Sequence, residues 1–133
     1  MTTDAIHAEL VALYDGTTPV RSRWSYRADQ PFTVTAAFQT ERDRWVEWVF
    51  SRELLVAGLA SAAGMGDVRL RPESERGLDM LVVEIESPEG YAKLELDHEA
   101  VSGFLAATEE AVPISEESAH FDVDALIDEL TRV

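Results

Sequence analysis

Few residues in this chain have the types and spacing that chemistry requires. His120, Asp122 and Asp124 stand at alternate positions, from which a loop could aim three ligands at one divalent cation. At the entry to a helix the same residues have a simpler use: Asp122 as an N-cap accepting backbone N–H bonds, and Asp124 favoured by the helix dipole. The N-cap role is the expectation. His7 and His98 lie far from His120 and lack the paired spacing of a zinc site. Glu47 sits between two tryptophans in an otherwise apolar run, and burial there would disfavour its charged form and make a general acid. The preferred alternative is a strand face shared by Trp45, Glu47 and Val49 and covered by a neighbouring subunit. Gly64-Met65-Gly66 lacks the later Gly-Lys-Ser/Thr of a phosphate loop and follows a helical pattern instead of preceding one, so it is expected to close that helix. No Gly-x-Ser-x-Gly elbow places a serine nucleophile. With no cysteine, thiolate zinc sites, iron–sulfur clusters and cysteine nucleophiles are all excluded. The expectation is a protein without catalysis, cofactor or metal.

A second constellation is electrostatic. Arg21, Arg23 and Arg27 alternate with Trp24 and Tyr26, so a strand would send the arginines to one face and the aromatics to the other. A single-strand nucleic-acid binder needs aromatics beside its cations, which this alternation denies. The charge balance argues the same way. Eleven basic and 26 acidic residues give −15 over 133 positions. Residues 1–72 hold eight basic and nine acidic side chains, for −1, and residues 73–133 hold three and 17, for −14. Polyanions would meet a repelling field from the second half, so the arginines are expected to form a surface for acidic strands or protein partners.

The length fits one domain over residues 1–133, and 46% hydrophobic residues suffice for a core. No apolar run approaches the roughly 18 residues of a membrane span, and the absence of cysteine suits a reducing cytoplasm, so a cytoplasmic protein without membrane insertion is expected. Period-two patterns predict strands over residues 6–14, 20–27 and 32–39, and a continuous apolar and aromatic run broken only by Glu47 predicts a fourth over 45–50. A helix follows over 51–63 with Ser51 as N-cap. Strands resume over 68–71, 78–86 and 91–96, with a polar loop at 72–77. Helical spacing returns from His98 to just before Pro113, and Asp122 can cap a last helix carrying Val123, Leu126, Ile127 and Leu130 on one stripe. The class is therefore α+β: an antiparallel, barrel-like sheet of about seven strands in the order four strands, helix, three strands, two helices.

Several ordered pieces carry a family resemblance. Val46-Glu47-Trp48-Val49-Phe50-Ser51-Arg52-Glu53-Leu54-Leu55 with Gly58-Leu59 resembles the signature of the SsgA-like proteins, regulators of sporulation and cell division in filamentous actinobacteria. Gly66-Asp67-Val68-Arg69 with Pro72, then Ser87-Pro88-Glu89-Gly90, then Phe104-Leu105 with Thr108 and Val112-Pro113, then His120-Phe121-Asp122-Val123-Asp124, follow at similar intervals. Within the family the chain is most similar to the member that marks future septum sites and positions the tubulin-like division protein FtsZ. The resemblance implies a fold similar to the whirly single-stranded nucleic-acid-binding proteins and a ring-like homo-oligomer, a trimer. It also implies a non-enzymatic role as an adaptor at septum sites, with FtsZ, other divisome proteins and SsgA-like proteins as partners. The competing reading is a whirly-like single-strand nucleic-acid binder.

Overall fold

The computed structural model describes residues 5–40, 43–88 and 90–114. Four strands come first: β1 (Ala5–Tyr14), β2 (Thr18–Arg27), β3 (Thr33–Gln39) and β4 (Trp45–Ser51). Helix α1 (Arg52–Ala60) follows, then β5 (Val68–Glu75), β6 (Leu78–Ser87), β7 (Gly90–Asp97) and α2 (His98–Ala111). All pairings are antiparallel, in one seven-stranded sheet of order β4-β3-β2-β1-β7-β6-β5. The two expected meanders are thus joined at β1 and β7, where Ala12 pairs with Leu96 and Tyr14 with Leu94. The sheet curls into a half-barrel but does not close, because β4 and β5 remain its two edges.

Alternation decides what is buried. Trp24 and Tyr26 of β2, Val34, Ala36 and Phe38 of β3 and Phe50 of β4 point inward, as do Leu81, Val83, Leu94 and Leu96 from the second meander. Helix α2 brings Val101, Phe104 and Leu105 to the same core. Trp24 lies at its centre, edge-on to Phe38, Phe50 and Phe104 at centroid distances of 6.5, 5.9 and 6.0 Å. Its indole N–H donates to Ser22 Oγ at 3.1 Å, and Ser22 in turn donates to the Leu10 carbonyl at 2.8 Å. The burial of so large a side chain therefore leaves no polar atom of the indole unpaired.

Two expectations about turns are corrected. The residues read as a loop at 72–77 lie mostly in β5, which runs to Glu75, and the reversal is a two-residue turn at Arg76-Gly77 with φ of 53° and 77°. Two successive positive φ values are what a tight hairpin of this twist requires. Pro72 does not break the strand because β5 is an edge, where a missing N–H can face outward. The first helix ends at Ala60, before the expected 63: Ser61 caps it in an extended conformation, its N–H bonding the Ala57 carbonyl. Gly64-Met65-Gly66 instead turns the chain so that Ala63 bridges Leu70 of β5. The expected last helix near residues 122–130 lies outside the described residues.

Candidate interaction surface

The outer face of β1–β4 carries the sequence-expected site residues. Arg21, Arg23 and Arg27 project from it into solvent, opposite the buried Trp24 and Tyr26. They already have acidic neighbours. Glu9 of β1, the register partner of Arg23, lies 3.3 Å from Arg23 and 3.8 Å from Arg21. Arg27 makes a two-pronged contact with Asp29, with Nε and Nη2 donating at 3.0 and 2.9 Å. That hydrogen bonding raises the Arg27 pKa and holds the Asp29 carboxyl below the ordinary carboxylate range, although both groups are exposed.

Trp45, Glu47 and Val49 share this outer face by the parity of β4. The strand register brings them beside the arginines: Arg23 pairs with Ala37, Ala37 with Glu47, and the Arg23 guanidinium lies over the Trp45 ring at 4.2 Å from its centroid. Strand alternation could not reveal this contact, because it crosses from β2 over β3 to β4. Trp45 is half-buried beneath Arg23, whereas Glu47 is exposed and Val49 is 60% exposed. Glu47 is therefore not a carboxyl held in an apolar pocket. The other side of β4 is also open: Val46 is 42% exposed and lines, with Trp48, Phe38, Val20, Tyr14 and Leu94, a groove of ≈ 700 Å³ at one end of the half-barrel.

The backbone of β4 adds a feature that residue types do not announce. Arg52 N–H donates to the Phe32 carbonyl at 2.7 Å and Thr40 N–H to the Arg44 carbonyl at 2.6 Å, continuing the β3–β4 register at both ends. Antiparallel ladders alternate, so the even-numbered residues of β4 bond to β3. Trp45, Glu47 and Val49 aim their N–H and C=O groups at the free edge, where none of the described residues pairs with them.

The second meander presents a different surface. Glu84 receives Arg71, lies 3.6 Å from Arg69 and accepts the Tyr91 hydroxyl proton at 2.7 Å. Arg69 also meets Glu86 at 3.3 Å, and Lys93 meets Glu95 at 3.6 Å. These charges neutralise one another along β5–β7.

Arg52, part of the signature run, has a structural role that spacing did not reveal. It is fully buried, its Nη1 donates to the carbonyls of Thr108 at 3.1 Å and Val112 at 2.7 Å, and its guanidinium lies over Tyr26 at 4.9 Å. The cation adds a second hydrogen bond to the Thr108 carbonyl, which also accepts the Val112 N–H at 2.9 Å, bonds the Val112 carbonyl just past the helix, and complements the dipole of α2. The remaining candidates stay apart: His7 is exposed on β1, and His98 Nε2 sits 2.8 Å from the Leu59 carbonyl. Among the described residues no group of three His, Cys, Asp or Glu side chains could hold a metal ion. His120, Asp122 and Asp124 lie outside them. No helix of the described residues is long and apolar enough to cross a membrane.

Comparison with known proteins assigns the arrangement to a family. Residues 20–117 match the model of the family described as Streptomyces sporulation and cell division protein, SsgA. The chain is 40% identical over 119 residues to the sporulation-specific cell division protein SsgB of Streptomyces coelicolor, covering 90% of this chain and 87% of that protein. It is 38% identical over 125 residues to SsgB of Saccharopolyspora erythraea, covering 94% and 86%. The SsgA-like sporulation-specific cell division protein from Thermobifida fusca has the same architecture, with a TM-score of 0.85 at 34% identity over 97% of each chain. A structure from work on SsgB mutations and longitudinal cell division in Streptomyces coelicolor superposes equally well, at a TM-score of 0.85 and 35% identity over 91% of this chain and 98% of that one. The curled sheet, the signature run through β4 and α1, and these relatives agree: the chain belongs to the SsgA family of sporulation and cell-division proteins.

Proposed function

We propose that the chain is a non-enzymatic, self-associating adaptor that marks septum sites during sporulation and helps recruit or align FtsZ from the cytoplasmic side of the septum. The observation that carries this reading is β4, an edge strand with exposed apolar side chains beside a belt of arginines held by Glu9 and Asp29. Surfaces of this kind serve protein contacts. Self-association gives weak sites their effect, since several acting together raise avidity by about 10²-fold or more without any new contact.

Sedimentation equilibrium at micromolar concentration tests the first half of the proposal: a small multiple of 14.8 kDa is expected, with three copies the number the family resemblance implies. A concentration-independent monomer would overturn it. Trp45→Asp should weaken assembly more than Arg21→Glu, because Trp45 belongs to the open strand. Deleting the gene in its host tests the second half, and regularly spaced septa in the deletion strain would refute the division role.

The nucleic-acid reading rests on Arg21, Arg23 and Arg27. Glu9 and Asp29 already lie against these cations, and Arg23 covers one face of the Trp45 ring, which argues against their serving as a phosphate track with free stacking platforms. Negligible oligonucleotide binding is expected at physiological salt. Submicromolar binding that falls steeply with salt would reverse the choice.

A further inference from the structure

We draw no further inference here: the strongest candidate, the apolar groove of Val20, Phe38, Trp48 and Leu94 at one end of the half-barrel, carries none, because nothing in the structure shows what covers it.

Discussion

The two edges of the sheet, β4 and β5, end the same curled structure yet treat their unpaired backbone in opposite ways. Along β5, outward groups are removed or occupied: Pro72 lacks a donor, Leu70 is bridged by Ala63, and α1 packs against the strand, while Arg69, Arg71 and Glu73 cover the outer face with compensating charges. Along β4, three successive outward-facing residues keep both groups free among the described residues, and one carboxylate is the strand's entire charge. Natural sheets commonly blunt exposed edges with proline, charge or a covering segment. Where one edge of a small protein is blunted three ways and the other not at all, the open edge is the place to look for a partner.

The largest effect tests how both edges are held. Arg52 begins α1 directly after β4, and its guanidinium clamps the last carbonyls of α2. Arg52→Ala removes a buried cation together with its hydrogen bonds to the Thr108 and Val112 carbonyls and leaves a cavity in the core, so a loss of about 3–5 kcal/mol is expected in urea denaturation. A loss below about 1 kcal/mol would show that the clamp is not what joins the helices to the sheet.

The next effect bears on the blunted edge. A Cβ at Gly58 would sit 2.4 Å from Leu70 Cβ, so α1 approaches β5 more closely than any other residue allows. Gly58→Val should cost about 1–3 kcal/mol and shift α1 off β5. Pro72→Val should cost less than about 1 kcal/mol but supply β5 with an outward N–H, and sedimentation should show more concentration-dependent association. If Pro72→Val changes nothing, the missing N–H of Pro72 is not what blunts the β5 edge.

Much of the fold was readable because strands with one buried face alternate, as β1 and β2 do almost throughout. What escaped shares one physical cause. Pro72 and Gly64 were given their ordinary local meanings, a loop and a helix terminator, although what they do depends on position in the sheet. Pro72 is tolerated because β5 is an edge, and Gly64 lies in the turn that returns the chain to pair with β5. Arg52 belonged to the quoted signature without a role, since Thr108 and Val112 lie 56 and 60 residues away and no local pattern announces them. At the candidate surface, the parity of β4 was enough to put Trp45, Glu47 and Val49 on one face. The Arg23 contact over Trp45 and the outward backbone of β4 were invisible, because both depend on which strands become neighbours.

The smallest effect asks whether surface charge beside β4 contributes anything apart from the edge. Asp29 accepts a two-pronged hydrogen bond from Arg27, which holds its carboxyl below the ordinary range in the folded state. A carboxyl whose pKa is depressed by folding adds stability above its unfolded pKa, and that contribution disappears as pH falls through the lower folded value. Asp29→Asn should therefore be slightly less stable than the parent near neutral pH, and the gap should close in strong acid, where both proteins lack the charge. Because the pair is exposed, salt at about 1 M, with a Debye length of about 3 Å, should narrow the gap at neutral pH as well. Thermal unfolding across a pH series reads all three. The substitution should leave association unchanged, since Asp29 lies beyond the end of β2 and offers nothing to the β4 backbone. If instead Asp29→Asn weakens assembly as strongly as Trp45→Asp, the partner surface is the arginine face, and the contrast between the two edges is not what selects the partner.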